Sequence, residues 1–327
     1  MDWGNVFSQA ITQGIGIQAV IFALAAIGLN VQFGYTGLLN FGQSGFLAVA
    51  AYGLGVSIAF AGWSLWVGII VGILAAVLLA LLLGIPTLRL RADYLAIVTI
   101  AAAEILRLVF RSVTFDPVFG GSDGINRFAD DFFTYNPYSG PVQLGPAEFS
   151  QNDMWVITIG WILVAIMSLL VFMLMRSPWG RVIKAIREDE DAVRSLGKSV
   201  YSYKLQALVI GGVMGCFGGF IAAIAFQSIQ PDYYSTELTF FAYAVLILGG
   251  AARVLGPIVG SLVFWFLLVF IDGALSNGVS SGTIDFIASN QVGQIRYWIL
   301  GISLMLLMIY RPQGILGDKK ELSLDAR

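Results

Sequence analysis

The sequence predicts an all-α fold: a polytopic bundle of about nine (8–10) membrane-spanning helices, some of them interrupted, at roughly 20 residues per span. Three observations predict it. Of 327 residues, 58% are hydrophobic and 12% charged, about half the charge of a soluble globular chain. Apolar runs of spanning length recur along the whole sequence. Lys and Arg gather in a few of the segments between those runs.

The runs lie near residues 11–33, 36–60, 63–84, 93–111, 153–175, 205–229 and 293–310. The stretch 238–275 is too long for one span and is interrupted by Gly249, Gly250, Arg253, Gly256 and Pro257. It is expected to form a short helix followed by a full one. Cytoplasmic segments carry an excess of Lys and Arg. Residues 176–204 hold Arg176, Arg181, Lys184, Arg187, Arg194, Lys198 and Lys204, and the tail adds Arg311, Lys319, Lys320 and Arg327. The polar segment 112–152 holds one basic residue, Arg127, against Asp116, Asp123, Asp130, Asp131 and Glu148. Residues 176–204 and the C-terminus are therefore expected inside, and 112–152 outside. Arg89, Arg91 and Arg253 then fall inside, Arg296 outside as a mild exception. Nine spans with the C-terminus inside put the N-terminus outside; residues 1–14 carry no Lys or Arg to oppose that, and they lack the basic region of a cleavable signal peptide.

Composition excludes an ordinary cytosolic enzyme, a disordered chain and a nucleic-acid binder. There is no histidine, which removes His-based acid–base chemistry, Ser-His-Asp triads and most zinc or haem sites. The one cysteine, Cys216, lies in an apolar run and reads as a small packing residue. No catalytic group, metal or cofactor is expected.

Residues 34–45 read GYTGLLNFGQSG at membrane depth. Irregular backbone survives there only inside protein or along a wet cavity, and paired interrupted segments in the two halves of a chain point to a transport pathway. Tyr35, Thr36, Asn40, Gln43 and Ser44 are the pathway candidates, with the break at 249–260 as the second element. The alternative is that these glycines only allow close packing. Gly211, Gly215 and Gly219, and more weakly Gly68 and Gly72, form small-residue ladders of the kind that let helices touch. Glu104, Arg107 and Arg111 share one helical face. Ionisable groups within a span are costly and often functional, so Glu104 is either part of the pathway or half of an internal ion pair.

Within 176–204, Pro178 opens a segment with an apolar edge at Val182, Ile183 and Ile186. Asp189 is a plausible N-cap for a second short helix, with Glu190 and Asp191 suited to its first turn. Gly197 is a natural stop. The acidic cluster 188–191 favours a protein partner over a lipid surface. Gly180 permits a close entry to the first helix, Ala185 leaves room, and Glu188 and Asp189 offer carboxylates. Gly197-Lys198-Ser199 resembles the end of a phosphate-binding loop, but Ala192 stands where its first glycine belongs.

The stretches GLNVQFGYTGLLNFGQSGF (28–46), PTLRLRADYLAIVTIAAAEILRL (86–108), GRVIKAIREDEDAVRSLGKSVYSYKL (180–205), ILGGAARVLGPIVG (247–260) and RPQGILG (311–317) resemble, in order, the membrane permease subunits of branched-chain amino-acid ABC transporters, of the LivM type. The resemblance implies one transmembrane permease domain over 1–327 in a bacterial-type inner membrane. It implies import of a small amino acid with a second permease subunit (paralogue or identical copy), two ATPase subunits and an extracytoplasmic solute-binding protein. The segment 180–197 then corresponds to the loop that engages the ATPases, with Gly180, Ala185, Ile186, Arg187, Glu188, Asp189 and Gly197 as coupling candidates. The family often has a histidine where Gln43 or Ser44 stands, and the aromatic, acidic segment 112–152 has no match in its second half. Related permeases carry urea, amides or sugars, which stay open as solutes. A self-contained secondary transporter using Glu104 is the alternative class, and a membrane enzyme is disfavoured for want of a nucleophile–base pair.

Overall fold

The computed structural model describes residues 3–88, 92–281 and 291–317. Helix α1 (Trp3–Ile15) runs into α2 (Ile17–Leu29) through a break at Gly16, and α2 continues as a π-helix over Asn30–Tyr35. The helical chain therefore starts at Trp3, earlier than the apolar run at 11–33. The reason is packing: α1 lies along a helix from the far end of the sequence, with Val6 beside Gly273 and Gly14 beside Phe266.

Next come α3 (Gln43–Ala59), α4 (Leu65–Thr87) and α5 (Ala92–Arg111). Residues 36–42 are not helical, so the expected span at 36–60 is a helix only over its second part. The segment 112–150 forms short pieces: α6 (Asp116–Phe119), β1 (Ile125–Asn126), α7 (Asp130–Phe133) and a hairpin of β2 (Val142–Leu144) and β3 (Ala147–Phe149). Then follow α8 (Gln151–Arg176), the short helices α9 (Pro178–Glu188) and α10 (Glu190–Ser195), and α11 (Val200–Phe226). After α11, β4 (Ser228–Ile229) pairs antiparallel with β1. The interrupted stretch splits as expected, into α12 (Thr236–Gly249) and α13 (Gly256–Ser280), and α14 (Val292–Tyr310) closes the bundle.

Among the described residues, six helical stretches are long and apolar enough to cross a membrane, and α3 and α12 are shorter apolar helices. Helix α5 is 20 residues long and carries the charges of Glu104, Arg107 and Arg111. Arg89, Arg91 and the basic residues beyond 317 lie outside the described residues.

Helix α2 is apolar all round and buried from Ala19 to Leu29, the mark of a central helix. Helix α4 shows the reverse of soluble logic. Trp66, Ile70, Leu74, Leu78 and Leu82 recur every four residues and point outward, while Gly68, Gly72, Ala76 and Ala80 face in. Lipid is as apolar as leucine, so small residues, which allow close backbone approach, take the packed side.

The glycine ladder on α11 does this against α2. A Cβ at Gly28 would collide with the backbone of Gly211 and Gly215, which no rotamer change relieves. Gly28→Ala is expected to destabilise the detergent-solubilised protein by the ~1–3 kcal/mol that overpacking costs, and so to lower its thermal midpoint. Gly301→Ala, whose Cβ meets open space, serves as the control. Equal midpoints for the two variants would remove the α2–α11 contact as a packing constraint.

Candidate functional site

The end of α2 carries Asn30 and Gln32, both buried. A π-turn in a helix often marks a functional place, and here it delivers the chain into the non-helical segment 36–42. That segment has free backbone groups inside the bundle, and each would cost several kcal/mol unpaired in hydrocarbon. The surroundings answer several of them. Gly37 N–H and Leu38 N–H donate to the carbonyls of Phe33 and Gln32 at 3.0 and 2.8 Å. Phe41 N–H donates to Thr99 Oγ1 of α5 at 3.1 Å, and Gly42 N–H to Asn40 Oδ1 at 2.9 Å. Ser44 N–H donates to Thr239 Oγ1 of α12 at 2.9 Å, and the Tyr243 hydroxyl donates to the carbonyl of Asn40 at 2.9 Å.

The side chains within the segment are linked too. Asn40 Nδ2 donates to Gln32 Oε1 at 2.8 Å and to Gln43 Oε1 at 3.2 Å. Gln32 Nε2 donates to the carbonyl of Leu208 at 3.0 Å, and Thr36 Oγ1 to that of Val31 at 2.8 Å. Ser44 Oγ is buried without a partner among the described residues. Of the pathway candidates, Tyr35, Thr36, Asn40, Gln43 and Ser44 are all buried in this conformation, none more than 3% exposed.

Asn30 joins the two interrupted regions. Its Nδ2 donates to the carbonyl of Arg253 at 2.8 Å, and its Oδ1 accepts from Ala252 N–H at 2.8 Å. The two breaks, more than 200 residues apart in sequence, are thus tied by one amide. Gly34 makes room for this, since a Cβ there would meet Ala252 N at 2.7 Å.

Glu104 stands apart from this seam, near the opposite end of the bundle. It accepts from Arg107 Nε at 3.1 Å and pairs with Nη2 at 2.5 Å. Arg107 Nη1 and Arg111 Nη1 reach Asp232 at 2.5 and 3.2 Å. The Glu104 side chain is 40% exposed against 15% for Arg107. The expected ion pair is present, and Asp232 extends it to a four-membered cluster. The open side of α5 continues through Tyr94, Ile97, Ile105 and Leu108.

At the seam end lie α9 and α10. Asp189 Oδ1 accepts from Asp191 N–H at 2.9 Å and Ala192 N–H at 3.0 Å, the expected cap of α10. Gly197, at φ +76°, ends it. Ile186 packs with Val193 and Val200, and Gly180 is buried against Met175. Ala185, Arg187, Glu188, Asp189 and Gly197 are exposed. Arg187 turns back into the bundle, and its Nη1 donates to the carbonyl of Gly34 at 2.6 Å.

A family model described as "Branched-chain amino acid transport system / permease component" matches residues 11–310. The chain belongs to that family. A relative named as the high-affinity branched-chain amino acid transport permease LivM of Escherichia coli is 30% identical over 96% of this chain and 72% of its own length. A probable LivM of Methanocaldococcus jannaschii is 25% identical over 91% of each chain. A nucleoside ABC transporter permease, NupC of Lactococcus lactis, is 24% identical over 85% of this chain and 86% of its own. PsaBC from Streptococcus pneumoniae aligns over 97% of this chain and 95% of its own at TM-score 0.42 and 15% identity, a likeness that carries no argument. This chain is a transporter subunit, not an enzyme, and a multi-pass inner-membrane protein. The family assignment sets aside the secondary transporter.

Sequence reasoning missed Asn30, Gln32, Thr99, Thr239, Tyr243 and Asp232. The available signal was a polar residue in an otherwise apolar span, as at Thr99 and Thr239. Asn40→Ala would strip Gly42 N–H, Gln32 and Gln43 of partners, and each buried unsatisfied group costs about 1–3 kcal/mol. The variant is expected to unfold several degrees below the parent protein in a thermal melt. An unchanged midpoint would mean that water replaces these bonds at no cost.

Proposed function

We propose that this permease works in an ABC importer for branched-chain or related small amino acids. Its partners are a second permease subunit, paralogue or identical copy, two ATPase subunits and an extracytoplasmic solute-binding protein. The likeness to relatives named as LivM branched-chain amino acid permeases supports the solute. The charge distribution supports the sidedness. The end with α9 and α10 gathers Arg176, Arg181, Lys184, Arg187, Arg194, Lys198 and Lys204 and reads as cytoplasmic, with the C-terminus on the same side. The end with β1 to β4 gathers the acids and reads as external.

The observation that carries the mechanism is the Arg187–Gly34 hydrogen bond. It joins the α9 helix to the last turn before the broken segment. In our reading, the ATPase subunits grip the exposed edge of Ala185, Glu188, Asp189 and Gly197, while Gly180 and Ile186 seat α9 and α10 on the bundle. Motion of α9 then pulls on Gly34 through Arg187 and shifts residues 36–42. That shift bares Tyr35, Thr36, Asn40, Gln43 and Ser44 to the pathway, where the unpartnered Ser44 hydroxyl is ready for a polar solute. The open face of α5 with Glu104 meets the second permease subunit across the same path.

Reconstitution in liposomes tests this. Uptake is expected only when the ATPase subunits and ATP are present, and gradient-driven uptake by this chain alone would overturn the ABC reading. Competition between leucine, other small amino acids and nucleosides fixes the solute; dominance of a nucleoside would favour the chemistry named for the Lactococcus lactis relative. In the same assay, Glu188→Lys with Asp189→Asn keeps a cap on α10 but reverses the charge offered to the ATPase. Losing one charged hydrogen bond is worth about 1.5–3 kcal/mol, so the ATPase should be held at least about tenfold more weakly. Unchanged retention and unchanged coupling would reduce these acids to a solvated face.

Glu104→Gln removes one carboxylate but leaves Asp232 to hold Arg107 and Arg111. The variant is expected to assemble normally and transport several-fold more slowly. A normal transport rate would make the cluster an anchor for the external loop alone.

A further inference from the structure

A concavity of charged character lies between α8, α9 and the turn before α13, with a volume of about 820 Å³. Four cations line it: Arg176 from the end of α8, Lys184 and Arg187 from α9, and Arg253 from the turn. One carboxylate, Glu188, stands at its edge. Nearby, other basic residues of the same loop are neutralised, Arg194 by Asp191 at 2.6 Å and Lys204 by Glu190. Arg176, Lys184 and Arg187 have no carboxylate within ion-pair distance among the described residues. Arg176 lies over the Phe172 ring at 4.1 Å and Lys184 over the Tyr35 ring at 5.7 Å, while Arg187 is spent in part on the Gly34 carbonyl. A ring face holds a cation in place but leaves N–H donors unused.

The like charges of Arg176, Lys184 and Arg187, gathered in a half-enclosed site, repel, and an anion that enters it relieves them. Guanidinium groups match phosphate oxygens two at a time, and an ammonium adds a point charge. The wall supplies the second half of the chemistry. Leu169, Phe172 and Leu255 line the same cavity and are exposed, and Ile162 and Ile166 continue that apolar strip up α8. We propose that this cavity binds the phosphate headgroup of an anionic phospholipid, with an acyl chain laid along α8. Basic pockets between spanning helices at the cytoplasmic face suit such headgroups. Because Lys184 and Arg187 belong to α9, a lipid seated here would brace the helix that reaches Gly34. The inference rests on the membrane-spanning fold and its sidedness, not on the solute or on transport.

The test is lipid retention by the purified transporter complex. Native membranes are extracted in mild detergent, and bound phosphatidylglycerol per permease is measured by mass spectrometry. The parent complex is expected to retain phosphatidylglycerol, and Arg176→Gln with Lys184→Gln to retain several-fold less, with phosphatidylethanolamine unchanged in both. Arg181→Gln, on the same helix but outside the cavity, should retain as much as the parent. Equal retention by the double variant, or an equal loss in Arg181→Gln, would overturn the site. Phosphatidylglycerol added back in mixed micelles should raise the thermal midpoint of the delipidated parent and not of the double variant. The same rise with inorganic phosphate alone would show a free-anion site and overturn the lipid reading. Loss of fold in the double variant is excluded by its far-UV circular dichroism; if that fails, Lys184→Gln alone carries the retention comparison.

Discussion

The constraint on which the structure depends is that a peptide segment without helical hydrogen bonds lies inside a membrane bundle. Everything around residues 36–42 answers it. Asn30, Gln32, Asn40 and Gln43 are buried because their amides can each donate and accept, which apolar side chains cannot do. Thr99, Thr239 and Tyr243 come from α5 and α12 for the same reason. A segment held by side chains instead of by its own helix can exchange partners without unwinding anything, which makes it the place where a small displacement is least costly. The rigid part of the bundle supplies the contrast. Between α2 and α11 the backbones touch through glycines, and such a contact leaves no room to slide.

The two ends of the molecule handle charge differently. At the β-strand end, Glu104, Arg107, Arg111 and Asp232 pair among themselves and join α5 to the loop after β4. At the α9 end, some cations are paired within the loop and others face a cavity and a carbonyl. Exposed ion pairs contribute little stability, so neither end owes its fold to them. Their effect is directional: they fix which way the chain sits and what can approach each face.

Much of this was legible in the sequence. Length and apolar content marked the spanning helices, and the run of Gly249, Gly250, Arg253, Gly256 and Pro257 marked the separation of α12 from α13. Asp189 and Gly197 announced their caps because capping is local chemistry. The position of the break was displaced. Gly34 and Tyr35 remain helical in the π-turn, and Gln43 and Ser44 already begin α3, because glycine tolerates a helix when a neighbour packs on it. What local reading lacked was partnership over distance. Nothing near Asn30 announces Ala252, and nothing near Arg107 announces Asp232, since both pairings arise only when distant helices meet. Of the pathway residues named from the sequence, five lie buried at the break and Glu104 lies apart from them, and the network around the five was visible only in three dimensions.

The closing stretch after α14 carries one more consequence. Ile315 N–H and Leu316 N–H donate to the carbonyls of Leu248 and Gly249, at 2.9 and 3.0 Å. They satisfy the end of α12, which would otherwise present unpaired acceptors beside the second break. These donors lie beyond α13 and α14 in the chain, far from the acceptors they satisfy. The junction that Asn30 reaches across to is therefore closed only once α13 and α14 have been made, and a nascent chain halted before residue 315 would carry an open helix end beside the second break.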